Sequence, residues 1–237
     1  MADHITEEEQ IEALKSWWAD NGKQTLLGVV LVAGGYFGWQ SWTGHAEEQA
    51  EAASNAYQEM LDIVVAADET DSLSAGQQTA VNNMADAIKQ NYGSSQYAYY
   101  AALIKAKIAV QNGDLNTAAA ELQWALDAAG DKASTAIARL RLARVEAARG
   151  NLDIALQMVQ GKDAGEMASQ YNEAKGDFYL QQGNQAAAFT AYEAAMADIA
   201  MQNSTARALL QLKIGQVQPA PEAPAPDTEV DQAVTDQ

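Results

Sequence analysis

The sequence predicts an all-α protein: a single N-terminal transmembrane helix followed by a solenoid of helix pairs. Three observations support this prediction. Residues 24–42 carry no formal charge. No proline precedes Pro219, and the chain is rich in Ala, Leu, Gln and Glu, which favour helix. Glycine-containing turns recur at Gly113, Gly150 and Gly183, and such spacing is typical of helical repeats.

Residues 1–23 predict a short amphipathic helix of about 15 residues. Thr6 and Glu9 fit a capping box, and Asn21-Gly22 offers a C-terminal stop. Its polar face is acidic rather than rich in lysine, so both a membrane-surface role and docking of a cytoplasmic partner remain open. The apolar face is formed by Ile11, Leu14 and Trp18.

Residues 24–42 form the predicted transmembrane helix. Nineteen residues at 1.5 Å each span roughly 28 Å, close to the thickness of a hydrocarbon core. Trp39 and Trp42 stand at its far end, where amphipathic rings favour the interface. A cleaved signal peptide is disfavoured because the preceding segment is long and acidic. A buried core helix is the other alternative, because several glycines lower the hydrophobicity.

The basic residues set the predicted orientation. Lys15 and Lys23 precede the uncharged segment, and no Lys or Arg follows it until Lys89. The positive-inside rule therefore places residues 1–23 in the cytoplasm and the large domain on the opposite side. Gly34 and Gly38 have the spacing of a small-residue face that contacts another transmembrane helix, although ordinary glycine content would also explain them.

Residues 43–215 predict a tetratricopeptide-like helical domain. The three glycines are 37 and 33 residues apart, near the period of 34 of such repeats. Each glycine is predicted to end the first helix of a pair. First helices are expected at 97–111, 134–149 and 166–182. An upstream helix pair is expected at 46–67 and 79–91, a capping helix at 206–214, and a disordered Pro/Ala/acidic tail at 216–237.

The composition excludes several kinds of chemistry. The net charge of -18 argues against binding to nucleic acid. The absence of cysteine excludes disulfides, thiolate chemistry and a lipid-modified cysteine anchor. No phosphate-binding loop or metal-binding histidine pair occurs, so no enzyme, metal or cofactor is expected. Four candidate carboxylates are predicted at solvent-exposed faces: Glu121, Glu146, Glu166 and Glu173.

A protein-binding groove is the function that remains. Superhelical repeats present a concave surface lined by first-helix residues. The densest basic cluster, including Arg141 and Arg144, predicts either ion pairs within the domain or a site for an acidic partner. The candidate groove residues are Tyr97, Tyr100, Arg139, Arg141, Arg144 and Tyr171.

Several motifs resemble the YfgM family of bacterial inner-membrane proteins, which are ancillary subunits of the SecYEG translocon. The resemblance extends from residue 7 to residue 214, although the Pro-rich tail departs from the family pattern. It rests on the order and spacing of Glu8-Glu9-Gln10, Trp17-Trp18, Asn21-Gly22-Lys23, Gly38-Trp39, Tyr97-Ala98, Gly113-Asp114, Arg139 to Val145, Glu173 to Asp177 and Leu212-Lys213-Ile214.

The resemblance implies a location and a role. Such proteins lie beside the translocon with the repeat domain in the periplasm. They associate with a membrane-anchored periplasmic chaperone of the PpiD type and help to pass exported client proteins to periplasmic chaperones. A second implied role is the sequestration of a cytoplasmic stress-response regulator through the N-terminal segment.

Overall fold

The computed structural model describes residues 7–68, 73–199 and 203–217, and the regular secondary structure of these ranges is helical throughout. A 3₁₀ turn at Gly165–Met167 precedes the seventh helix. The helices are α1 (Glu7–Asp68), α2 (Ala75–Asn91), α3 (Gln96–Gln111), α4 (Leu115–Ala128), α5 (Lys132–Ala148), α6 (Leu152–Val159), α7 (Ala168–Gln181), α8 (Gln185–Asp198) and α9 (Ser204–Val217).

Residues Met1–Ala98 form one compact unit and Tyr99–Gln237 form a second. In the first unit, the C-terminal half of α1 packs against α2. Buried side chains from both helices form its core: Ala53, Met60, Val81, Ala85 and Ile88.

The N-terminal segment differs from the prediction, because α1 continues through Asn21-Gly22 without a stop. The Trp18 ring covers Gly22, and an added Cβ would lie 3.2 Å from that ring. The Asn21 side chain donates to the Trp17 carbonyl oxygen at 3.2 Å, inside the helix. A glycine ends a helix only where the following chain turns away from the helix axis. Here the chain stays helical, and its backbone polar groups bond within the helix.

Residues 24–42 lie inside α1, and the helix extends from them to Asp68 without a break, as predicted for the exit into the domain. Within the ranges that the structure describes, no helix has the length and apolarity required to cross a membrane.

The second unit is a serial array in which each helix packs against its neighbours in the chain. The three predicted glycine turns are confirmed: φ is +76° at Gly113, +87° at Gly150 and +78° at Gly183, a region that favours glycine. Each turn closes with a hydrogen bond from the backbone N–H of the third residue after the helix to a carbonyl of its last turn. The first joins Asp114 N to Ala109 O at 2.9 Å.

Small residues bring the paired helices close together. One core joins α3, α4 and α5 through alanines such as Ala102, Ala118 and Ala138. A second core joins α5, α6 and α7 around Tyr171 and Phe178. Alanine at these positions lets the backbones approach closely while the aromatic and Leu side chains fill the remaining space.

The C-terminal contact of α7 with α8 and α9 combines a close approach with paired charges. Gly176 has no side chain where the Tyr192 ring passes, and an added Cβ would overlap that ring. Lys213 Nζ lies 2.7 Å from both Glu173 Oε1 and Asp177 Oδ1. The Tyr192 hydroxyl donates to Asp177 Oδ1 at 2.8 Å. We call these five residues the C-terminal polar cluster.

Two further helix boundaries differ from the predictions by three residues or more. α2 begins at Ala75 rather than at residue 79, because Ser74 and Gln77 form a capping box that starts the helix earlier. α9 extends to Val217, so residues 216 and 217 are helical rather than part of the tail. Residues 218–237, where most of the tail prediction falls, lie outside the described ranges, as do residues 1–6 and 69–72.

Candidate functional site

A groove of about 460 Å³ lies between α3 and α5, the first helices of two successive repeats. We call it the α3–α5 groove. Its apolar floor includes Leu103, Leu122 and Val145, which are almost fully buried. Val110 also lines it and is 45% exposed. The groove therefore offers apolar surface that solvent or a partner can reach.

Helical spacing explains why these residues meet. Leu103, Lys107 and Val110 are separated by four and three positions and so lie on one face of α3. Arg141 and Arg144, three positions apart, lie on the facing side of α5. Lys107 is not among the groove residues that the sequence predicts.

Three cations border the groove: Lys107, Arg141 and Arg144. In the part of the chain that the structure describes, no carboxylate forms an ion pair with any of them. This is unusual for a chain of net charge -18. The groove is therefore a local positive region that attracts acidic groups by complementarity.

The predicted arginine cluster divides into separate environments. Arg149 pairs with Glu146 and donates to Asn116 Oδ1 at 3.0 Å. Arg139 lies within hydrogen-bonding reach of the Tyr171 hydroxyl. The predicted ion pairing within the domain thus holds for Arg149. Arg141 and Arg144 line the groove, and a site for an acidic partner there stays a prediction.

Tyr171 is not a groove residue, which corrects the prediction. It is only 2% exposed, and its hydroxyl donates to the Ala136 carbonyl oxygen at 3.0 Å. Burial raises the pKa of this hydroxyl, and Arg139 partly opposes that shift. Tyr171 and Arg139 therefore join α7 to α5 in the interior.

The N-terminal part of α3 carries three tyrosines with different roles. Tyr97 packs against Tyr57 within the first unit, with ring centroids 5.6 Å apart. Tyr99, which the prediction missed, is buried and donates to the Ser134 carbonyl oxygen at 2.8 Å. Tyr100 is 40% exposed and meets the Tyr99 ring edge-on. Of the predicted tyrosines, Tyr100 thus presents the most surface to a partner.

Arg141 lies near both the buried Tyr99 and the groove. Burial raises the pKa of the Tyr99 hydroxyl, and the charge of Arg141 partly opposes that shift. Arg141 is therefore close enough to influence Tyr99 while its own side chain borders the groove.

Two of the four carboxylates predicted at solvent faces are buried, so that prediction is wrong for Glu121 and Glu146. Glu121 pairs with Lys105 at 3.1 Å. Glu146 accepts hydrogen bonds from Arg149 and, at 2.6 Å, from Asn151 Nδ2. Both carboxylates hold helices together and are satisfied by these partners, which does not leave a free acid–base pair.

No group of three or more His, Cys, Asp or Glu in the described ranges could hold a metal ion. Gly34 and Gly38 lie on α1 with open space around them, since an added Cβ at either position would meet nothing within 4 Å. A helix contact at this face stays a prediction.

An array of helix pairs with an open groove along its first helices defines a protein-interaction module of the tetratricopeptide-like class. The sequence model of the family described as tetratricopeptide repeat-like domain matches residues 15–219.

Relatives of known name narrow the assignment from a class of fold to a family of proteins. A Haemophilus influenzae protein named ancillary SecYEG translocon subunit is 32% identical over 195 residues, which cover 82% of this chain and 91% of the relative. The Escherichia coli protein of the same name is 33% identical over 79% of this chain and 86% of its own length. A Neisseria gonorrhoeae protein of that name is 27% identical over 90% and 98%. The chain belongs to the family of these proteins; no solved structure matches it.

Proposed function

We propose that this protein is a membrane-anchored interaction module of the SecYEG translocon that helps to pass exported proteins to periplasmic chaperones. The observation that carries the proposal is the α3–α5 groove, which combines exposed apolar surface at Val110 with three cations. The shared family with proteins named ancillary SecYEG translocon subunit supports the translocon as the partner. A PpiD-type chaperone and the exported clients are the further partners proposed.

Residues 24–42 serve as the anchor in this proposal. The segment is uncharged, and large apolar side chains along it are exposed, from Leu26 at 60% to Trp42 at 69%. Under the positive-inside rule, Lys15 and Lys23 favour a cytoplasmic N-terminal side. The helical domain of residues 43–215 is then periplasmic.

Thiol labelling in spheroplasts tests this topology, because the natural chain contains no cysteine. Ala13→Cys and Gln111→Cys introduce single thiols at exposed positions on either side of the proposed anchor. A membrane-impermeant maleimide is expected to label Gln111→Cys in intact spheroplasts and Ala13→Cys only after lysis. Labelling of both without lysis, or of Ala13→Cys alone, refutes the orientation.

Photocrosslinking in intact cells tests the partner. A photoreactive residue at position 110, in the groove, is expected to give adducts with translocon subunits, the PpiD-type chaperone or exported chains. The matched control replaces Gln157, which is exposed on α6 outside the groove. Adducts that are absent at position 110, or equal at both positions, contradict a role for the groove in these contacts.

A second candidate function is a regulatory scaffold that sequesters a stress-response regulator through the N-terminal segment. The observation that favours it is the exposed apolar face of α1, where Ile11, Leu14 and Trp18 are each more than half exposed. Replacing Leu14 with Glu would abolish capture of the regulator while leaving groove crosslinks intact. Regulator capture that survives this change contradicts the scaffold.

A further inference from the structure

The α3–α5 groove has a candidate occupant within the same chain. Residues 218–237 follow α9 directly and lie outside the described ranges. They carry five acidic residues and no basic residue. The acidic residues are Glu222, Asp227, Glu229, Asp231 and Asp236.

The order of residues in this tail matches the groove. Glu229, Val230 and Asp231 alternate acidic and apolar side chains, and Val234 lies three positions after Asp231. In an extended chain, alternate side chains point to opposite sides, so carboxylates and a valine can face different parts of a groove. The α3–α5 groove has both kinds of counterpart, since Arg141 and Arg144 border an apolar floor.

We propose that the acidic tail, residues 218–237, binds in the α3–α5 groove of its own chain. Its carboxylates neutralise Lys107, Arg141 and Arg144, and Val230 or Val234 covers the exposed apolar surface of Val110. The contacts are charge-assisted and partly exposed, so each is weak and sensitive to salt.

The tail is long enough to reach. α9 packs against α8, α8 against α7, and α7 against α5. Neighbouring helix axes lie about 8–10 Å apart, so the three packing steps from α9 to α5 add up to about 30 Å across the array. Twenty extended residues reach about 60 Å.

Because the tail is attached to the domain, weak binding is sufficient for it to occupy the groove. A tethered segment is present at an effective concentration on the order of millimolar, whereas a separate partner must supply its own concentration. The tail would therefore occupy the groove until a stronger acidic or apolar ligand displaces it. This inference goes beyond the proposed function and does not depend on the translocon.

Fluorescence energy transfer in the purified full chain tests the tail position, again using the natural absence of cysteine. Thr235→Cys places one dye in the tail without changing its charge. Gln111→Cys places the second dye at the groove, and Gln157→Cys places it on α6 as the matched control. Tail binding predicts transfer efficiency at least about twofold higher for the groove position than for the control.

If the tail binds the groove, the higher transfer efficiency at the groove position must depend on the charges of the groove and of the tail. If the tail lies near the groove only by chance, this efficiency does not depend on them. Arg141→Gln with Arg144→Gln is expected to abolish the preference, as is neutralisation of the five tail acids by Gln or Asn. An unchanged circular dichroism spectrum verifies that the helices persist. Equal transfer at both positions in the natural sequence, or a preference that survives both sets of changes, overturns the proposal.

Because the purified chain contains no translocon, this result does not depend on the crosslinking experiment. A failed tail experiment leaves the translocon proposal standing, and failed crosslinking leaves tail binding standing. If both hold, removal of the five tail charges is also expected to increase groove crosslinks in cells.

Discussion

The C-terminal polar cluster and the α3–α5 groove both contain cationic side chains, but these have opposite surroundings. In the cluster, Lys213 lies 2.7 Å from two carboxylates and is largely covered. In the groove, Arg141 and Arg144 border apolar surface without a carboxylate partner among the described residues. The difference indicates that charges are paired where helices must stay together and remain available where a ligand can enter.

The largest effect on stability is expected at Gly176, where α7 and α8 approach most closely. Gly176→Ala forces the new Cβ against the Tyr192 ring, and the rigid ring must move. We expect a loss of about 3 kcal/mol in the free energy of unfolding, measured by urea denaturation.

Gly215→Ala is the matched control. Gly215 is also helical, but an added Cβ would meet nothing within 4 Å. Alanine favours helix over glycine by up to about 1 kcal/mol, so this variant is expected to be slightly more stable. If both variants lose the same stability, the close approach of Gly176 to Tyr192 is not the cause.

Lys213→Met is expected to cost about 2 kcal/mol, because it leaves Glu173 and Asp177 half-buried without their cation. The value lies between those of buried and exposed pairs because the cluster is partly solvated. Lys132→Met is the control, since Lys132 and Asp163 form an exposed pair at 3.6 Å. An unfolding midpoint that shifts equally in both variants would contradict the distinction.

Alkaline pH is expected to weaken the C-terminal polar cluster. Burial raises the pKa of the Tyr192 hydroxyl above 10.0, and Asp177 and Glu173 raise it further. Burial lowers the pKa of Lys213, but hydrogen bonds to Asp177 and Glu173 outweigh burial and bring it above 10.5. The folded state thus holds both protons more tightly than the unfolded state does.

The stabilisation from these two groups is fully present below the unfolded pKa values. It is lost as pH rises through the folded values, so the free energy of unfolding should fall above about pH 10. Denaturation series between pH 8 and pH 11 measure this fall, and Tyr192→Phe should make it shallower. A pH dependence that is identical in Tyr192→Phe would exclude Tyr192 as a source.

Smaller losses are expected at the two tyrosines that cross to α5. Tyr99→Phe and Tyr171→Phe each remove one hydrogen bond to a carbonyl of α5, worth about 1 kcal/mol. The residues belong to different core clusters, so the double variant should show the sum of the two losses in urea denaturation. A double variant no less stable than either single one would show that the bonds are coupled.

The smallest effect on stability is expected in the groove itself. Arg141→Gln with Arg144→Gln changes two exposed side chains that have no ion pair in the described ranges. The unfolding midpoint should stay where it is, while groove crosslinking falls. A large loss of stability would mean that these arginines hold the fold together, and the contrast with the C-terminal polar cluster would disappear.

The local features of the fold were predictable from the sequence. Gly113, Gly150 and Gly183 marked the turns correctly, because positive φ and helix termination both favour glycine. The early start of α2 is also encoded locally, in the capping box of Ser74 and Gln77. Asn21-Gly22 does not end the helix, since these residues are tolerated inside a helix when Trp18 covers the glycine.

The features that the sequence did not reveal depend on contacts between distant residues. Glu121 is buried because Lys105 meets it from α3, and periodicity within α4 does not report that partner. Tyr99 and Tyr100 are adjacent, and only the position of α5 decides which of them is enclosed. The close approach of Gly176 to Tyr192 spans 16 residues and has no turn signal.

The uninterrupted α1 has a mechanical consequence. Sixty-two residues at 1.5 Å each make a rod about 93 Å long, without a proline or a described break that could act as a hinge. An axial pull or a twist applied near Trp18 is therefore transmitted to Met60, which is part of the packed core of the first unit. The position of the N-terminal end and the packing around Met60 are thus linked by one continuous helix.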